Sequence, residues 1–207
     1  MFSEIDAYKP SRPSFETLRI SKEYPVLFRL MLTTGLRRSE AVSIPIQNID
    51  VNEHTVVIRN AKEHKDRIVS ISDDMALLLK GYLHFMESTV SEQLKWLFPA
   101  VDLSCHLSAV ALGDRFNRFW NKTMYAQSCS KKPTLHSLRH TFVVTRINSW
   151  NEQGIDTAVM IPYLSRHLGH KSADETFYYY HQVLDSLKII RQKDTLSSIV
   201  LPEVRVR

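Results

Sequence analysis

Apolar residues between Tyr24 and Leu32 fill successive helical turns, Pro25 suits a first helical position, and the run stops at Gly35, which predicts a buried helix there. A second helix can start near Arg37. Thr55-Val56-Val57-Ile58-Arg59 and Arg67-Ile68-Val69-Ser70-Ile71 are short β-branched runs on either side of a polar segment, 61–66, and predict a hairpin with a charged tip. Elsewhere the pattern is helical. Asp73 or Asp74 can cap a helix running to about Met86, and Leu107 to Met124 places Phe116, Phe119 and Trp120 at helical spacing. Three more helices are predicted over about 136–149, 156–167 and 173–181, jointed at Asn151 to Gly154 and at Leu168-Gly169. No internal repeat interrupts this order. The predicted fold class is α+β, mainly helical, with one small antiparallel sheet. Ahead of it, Lys9-Pro10-Ser11-Arg12-Pro13 predicts an extended arm or linker remnant over 1–13, leaving 14–207 as the folded domain.

Composition changes this picture little. With 207 residues, 43% hydrophobic, 24% charged and only 5 Gly and 8 Pro, the chain is outside the disordered, collagen-like and low-complexity classes. Cys105 and Cys129 form no C-x-x-C pair, which argues against a disulfide framework or a cysteine zinc site and fits a reducing cytoplasm. No apolar run approaches the roughly 20 residues of a membrane span, and Glu4 and Asp6 break any signal-peptide pattern. Charge is more informative. The chain carries +5, and from Arg115 to Asn151 there are seven basic residues (Arg115, Arg118, Lys122, Lys131, Lys132, Arg139, Arg146) and no acidic one. A phosphate backbone is the natural counterpart, and an ordinary solvated basic face is the plain alternative.

Three short segments can carry chemistry. Thr34-Gly35-Leu36-Arg37-Arg38-Ser39-Glu40 puts a cation at the expected start of a helix, where it opposes the dipole unless an anion joins it; pairing with Glu40 is the plain alternative. In His136-Ser137-Leu138-Arg139-His140, His136 and Arg139 share a helix face, joining a guanidinium that grips phosphate oxygens in a fork to an imidazole that moves protons near neutral pH. His136 and His140 also have helical zinc-site spacing, but Ser137 stands where the zinc-protease motif needs Glu. The third segment is Leu168-Gly169-His170, followed by Tyr178-Tyr179-Tyr180-His181. Successive helical tyrosines point about 100 degrees apart, so they cannot all be core.

Together the motifs resemble the tyrosine recombinases of the phage integrase family. Thr-Gly-Leu-Arg-x-Ser-Glu, a hairpin lysine, His-x-Leu-Arg-His-Thr, Leu-Gly-His and a tyrosine nine residues later follow the family's order across about 22–185. The resemblance implies a catalytic domain in which Arg37 is the first arginine, Lys62 the hairpin lysine, His136 and Arg139 the helix pair, His170 the third-site residue and Tyr179 the nucleophile. Lys65 rivals Lys62 within Lys62-Glu63-His64-Lys65-Asp66-Arg67, and Tyr178 and Tyr180 are alternatives to Tyr179. The stretch from Arg139 to His170 is longer than in compact members, which points to extra structure around Asn151 to Ile161.

What the resemblance implies chemically is strand cleavage through a 3′-phosphotyrosine on double-stranded DNA, needing no cofactor, neither ATP nor metal. Arg37 and Arg139 clamp the nonbridging oxygens, His170 adds a hydrogen bond, Lys62 protonates the departing 5′ oxygen and His136 takes part in proton transfer with Tyr179. An apolar face after Leu184, with Leu187, Ile189 and Ile190, is expected to pack on a neighbouring protomer on DNA. The family's upstream DNA-clamping domain has no room in 207 residues, so a truncated chain or a minimal protein with altered activity is expected. A type IB topoisomerase and an inactive DNA-binding accessory protein are the rival readings.

Overall fold

The computed structural model describes residues 1–12, 14–59, 66–90, 93–172 and 174–179. Its spine is α2 (Phe15–Thr34), which begins well before Pro25 and carries that proline in its interior. Ser14 opens it: its hydroxyl accepts from the Thr17 amide at 3.2 Å, while Thr17 Oγ1 accepts from the Ser14 amide at 2.8 Å. The apolar pattern places the start too late for a physical reason. Phe15 and Leu18 are exposed, and two of the positions that face inward, Arg19 and Glu23, are charged. Arg19 Nη1 donates at 2.6 Å both to Glu23 Oε2 and to the Pro99 carbonyl, so this buried ion pair ties α2 to a distant loop. Burial outweighs the attraction of Arg19 and raises the Glu23 pKa to about 7.

Helix α1 (Phe2–Asp6) occupies part of the stretch expected to be extended. Ile5 is buried in the core, Arg29 of α2 binds Asp6 through both terminal nitrogens at 2.8 and 2.6 Å, and the Arg29 guanidinium lies over the Phe2 ring. These contacts hold residues 2–6 against α2, so an arm over the whole of 1–13 is corrected to a docked helix followed by a short connection.

After α2 come α3 (Arg38–Val42), a 3-10 turn (Ile46–Asn48) and a three-stranded antiparallel sheet: β1 (Ile49–Asp50), β2 (Thr55–Ile58) and β3 (Arg67–Ser70), in that order. Val56 pairs with Val69 and Ile58 with Arg67, so Val56, Ile58 and Val69 face the core while Ile68 points outward. The two paired strands are the expected ones, while 61–65 of the expected charged tip lie outside the described residues. The extra strand, β1, has only two residues and leaves no periodic signal.

The remaining elements are α4 (Asp73–Thr89), α5 (Ala109–Trp120), a second 3-10 turn (Met124–Ala126), α6 (Leu135–Glu152), α7 (Thr157–Leu168) and helical residues at 174–179. Ser72 caps α4, accepting from the Met75 amide at 3.3 Å, while Asp73 and Asp74 sit in the first turn and favour the positive end of its dipole. A capping box between Thr134 and Ser137 opens α6, and Asp156 caps α7. Helix α2 packs on α1, α3, α4 and α6; α7 packs on α6 and β3. The main apolar core lies around α2, and a smaller cluster of Phe142, Val143, Ile147, Leu164, Leu168 and Tyr179 joins α6, α7 and the 174–179 stretch. Among the described residues no helix is long and apolar enough to cross a membrane.

Candidate active site

The site is built on two helix ends. The last carbonyls of a helix have no intrahelical partner and sit at the negative end of its dipole, so they attract cations. Helix α2 ends at Gly35 with φ +68°, and α7 ends at Gly169 with φ +64°, both left-handed caps that favour glycine. The two glycines of the Thr-Gly-Leu-Arg and Leu-Gly-His motifs are therefore helix stops. Space also demands glycine here: a Cβ on Gly35 would come within 2.6 Å of Phe142 Cδ1.

Three arginines satisfy the exposed carbonyls. Arg139 donates from Nη1 to the Gly35 carbonyl at 2.7 Å and from Nη2 to the Leu168 carbonyl at 2.9 Å. Arg37 reaches the same Leu168 oxygen from Nη1 at 3.4 Å and the Gly169 carbonyl from Nη2 at 3.0 Å. Arg67 donates from Nε to the His167 carbonyl at 2.8 Å. A guanidinium has five N–H groups, so Arg37 and Arg139 are pinned by some and keep others for a ligand. The charge of Arg37 thus sits against the C-terminal end of α7, which relieves the conflict expected from its place before α3.

Glu40 locks this arrangement. It takes a bidentate pair from Arg67 at 3.0 and 2.8 Å, accepts from the Arg37 amide at 2.9 Å and pairs with Arg37 Nη1 at 3.1 Å. Burial alone would raise its pKa, but the hydrogen bonds and charge of Arg67, followed by those of Arg37, bring it below 4.5. Arg139 is almost fully buried; desolvation, then the nearby Arg37, lowers its pKa to about 10, so it remains a cation at neutral pH.

Imidazoles complete the site. His170 Nδ1 lies 2.7 Å from the buried Thr176 hydroxyl, and burial followed by the charge of Arg139 lowers its pKa to about 4, so it is neutral near pH 7. Partial desolvation and Arg139 also lower the pKa of His136, which is largely exposed on the first turn of α6. His136, Arg37, Arg38, Ser39, Asn117 and Arg139 line a cavity of about 520 Å³ between α3, α5 and α6.

Tyr179 is 7% exposed, and desolvation raises its pKa against the opposing charge of Arg139. Its ring stacks parallel to His170 at 6.4 Å, whereas Tyr178 is 60% exposed. The structure therefore gathers Arg37, Arg139, His170 and Tyr179 around the end of α7, with His136 beside Arg37 and Arg139 in the adjoining cavity. Lys62, its rival Lys65, Tyr180 and Leu187 to Ile190 lie outside the described residues. The imidazole set edge-on against Tyr179, at 4.6 Å, is His140 rather than His136. Sequence reasoning also missed Arg67, although it closes the Lys-x-x-Lys-x-Arg hairpin pattern, and His167, whose Nε2 lies 2.9 Å from the Thr34 carbonyl.

The basic stretch is not one uniform solvated face. Arg139 is buried and Arg115 is half-buried over the Tyr24 ring; Lys122 and Arg146 are exposed but lie over the rings of Tyr8 and Phe142, and Arg118, Lys131 and Lys132 are exposed. Among the described residues no three His, Cys, Asp or Glu side chains converge as metal ligands would.

The chain is 30% identical over 163 residues to the tyrosine recombinase XerA of Saccharolobus solfataricus, covering 79% of this chain and 47% of that protein. To the tyrosine recombinase XerC of Chlamydia caviae it is 30% identical over 166 residues, covering 80% and 48%. It thus spans about half the length of the curated relatives it matches. In fold it is similar to the XerH site-specific recombinase crystallised in a post-cleavage complex with palindromic difH substrate, with a TM-score of 0.69, 22% identity, and coverage of 93% of this chain and 50% of that one. Residues 15–185 match the model of the phage integrase family, and the chain belongs to that family.

Proposed function

We propose that this chain is the catalytic domain of a site-specific DNA recombinase that cleaves and rejoins strands through a covalent 3′-phosphotyrosine. The observation that carries this reading is the pinning of Arg37 and Arg139 to one carbonyl, Leu168 O, beside the cavity lined by His136, with Tyr179 of the same chain alongside. Two fixed guanidinia with unused donors match the nonbridging oxygens of a phosphodiester and the charge that grows on them in the transition state. Neutral His170 adds a further hydrogen bond.

Tyr179 Oη attacks phosphorus, the P–O5′ bond breaks, and the 5′ oxygen leaves as a hydroxyl. Its proton comes from Lys62 by the family pattern, and the phenol proton passes to neutral His136. Attack by a 5′ hydroxyl of a partner strand reverses the step and restores the tyrosine. The raised pKa of Tyr179 makes it a poor nucleophile at rest, so cleavage waits for a phosphate and a base to be aligned. The reaction belongs in the cytoplasm, on double-stranded DNA, with further protomers engaged through the segment containing Leu187, Ile189 and Ile190.

The test is a nicked duplex taken from DNA flanking the protein's own gene, incubated with the chain in EDTA and resolved on a denaturing gel. The expected result is a protein–DNA adduct whose nucleotide-bearing peptide maps to Tyr179. Mapping to Tyr178 or Tyr180 overturns the assignment, and binding without any adduct favours the accessory-protein reading.

Arg38 offers a separate check on the DNA face. It is exposed, lines the cavity, and makes no hydrogen bond or ion pair with the described residues, unlike Arg37 beside it. A cation that neutralises one duplex phosphate contributes about 0.9 to the slope of log affinity against log salt. Arg38→Gln is therefore expected to lower that slope by about one when binding is followed by fluorescence anisotropy from 50 to 200 mM salt. An unchanged slope removes Arg38 from the phosphate contacts.

A further inference from the structure

His140 directly follows Arg139 on α6, and the mechanism above gives it no task. Its ring meets that of Tyr179 edge to face, with centroids 4.6 Å apart and planes at 72°. His136 is one turn back on the same helix, with its ring centroid 6.3 Å from that of His140. We infer that His140 is a positioning residue for the nucleophile, its ring holding the Tyr179 phenol in the orientation that carries Oη toward the phosphate clamped by Arg37 and Arg139. This rests on the reading of Tyr179 as the nucleophile.

Tyr179 belongs to the small apolar cluster rather than the main core, and α6 supplies three members of that cluster, Phe142, Val143 and Ile147. Helix α6 is fixed on α2 and through the two carbonyl bonds of Arg139, so a ring carried at position 140 is on a rigid support. By contrast, His170 lies parallel to the phenol with its centroid farther off, at 6.4 Å, and Tyr178, at 5.9 Å, neighbours it in sequence. His140 is thus the closest aromatic neighbour of Tyr179 among the described residues, and it adjoins Arg139 of the clamp. Freezing a phenol's rotation costs conformational entropy at the moment of attack unless a neighbour has already done so. The contact is ring to ring, and no hydrogen bond joins His140 to Tyr179 among the described residues, so we assign the function to the ring and not to an imidazole nitrogen.

The test uses the full chain as wild type, His140→Leu, His140→Gln and His140→Phe. Duplex affinity, thermal midpoint and the single-turnover rate of adduct formation on the nicked duplex are measured from pH 6 to 8.5. Affinity is expected to stay within about twofold for all four. Leucine and glutamine should slow adduct formation roughly tenfold at every pH, equivalent to about 1.4 kcal/mol of barrier, a size within reach of one aromatic pair. Phenylalanine should restore the rate to within about threefold. Leucine reacting at the wild-type rate overturns the inference. So does glutamine outperforming phenylalanine, since that would place the function on a hydrogen-bonding group. Variants slowed only in proportion to a lost thermal midpoint overturn it in favour of a structural role. A wild-type chain that forms no adduct removes the nucleophile assignment itself and the inference with it, a failure distinct from the others.

Discussion

Glu40→Ala is expected to lower stability by about 3–5 kcal/mol, the usual cost of removing one partner from a buried ion pair. Arg67, whose side chain is 7% exposed, would lose both of its carboxylate contacts, and Arg37 would lose its amide and guanidinium contacts to the same group. For a chain of this length the thermal midpoint should fall by roughly 6–20 °C. Adduct formation should fall as well, because Arg37 keeps only carbonyl partners to hold its clamp. The pH dependence has a definite sign. Glu40 has a folded pKa below its ordinary 4.5, so its ionisation stabilises the fold above pH 4.5, and that contribution disappears as pH falls through the folded value. Thermal midpoints of wild type and Glu40→Gln measured from pH 6 down to 3 should therefore converge at the acid end. Parallel curves would show that the carboxylate charge does not support the site.

The sequence carried the local half of this structure. Gly35 and Gly169 are legible as helix stops because a left-handed cap leaves its mark at one position, and the β2–β3 hairpin is legible because β-branched residues alternate on a half-buried surface. Arg19 and Glu23 hide the first turns of α2 for the opposite reason: they are ionisable side chains buried against each other, and a hydrophobic pattern counts them as surface. The candidate site shows the same division. Family motifs mark Arg37, His136, Arg139, His170 and Tyr179, but what fixes them is long-range. Arg67 reaches His167 across 100 positions, and Arg37 reaches Gly169 across 132. No local spacing encodes those bonds. His140 illustrates the point from within a motif, since its spacing from His136 raises the question of metal, whereas its neighbour in space is Tyr179.

Arg139→Lys is expected to slow cleavage by about 10²–10³-fold, the usual cost of losing a preorganised donor to developing charge. Charge is not what lysine lacks: Arg139, with a pKa of about 10, and an ammonium are both cationic at pH 7. Geometry is. The guanidinium spans the Gly35 carbonyl at the end of α2 and the Leu168 carbonyl at the end of α7 and still presents further N–H groups, while a single ammonium cannot bridge two carbonyls and a phosphate in a fixed fork. Arg139→Ala goes further by removing the guanidinium from the Gly35 carbonyl, at about 1–3 kcal/mol, and by leaving the Leu168 carbonyl with only the long 3.4 Å bond from Arg37. The thermal midpoint should drop for alanine and much less for lysine, while adduct formation drops for both. That separation is the informative outcome. If lysine cleaves at the wild-type rate, the site needs only a positive charge near the phosphate, and the two helix caps that aim the arginine are matters of stability alone.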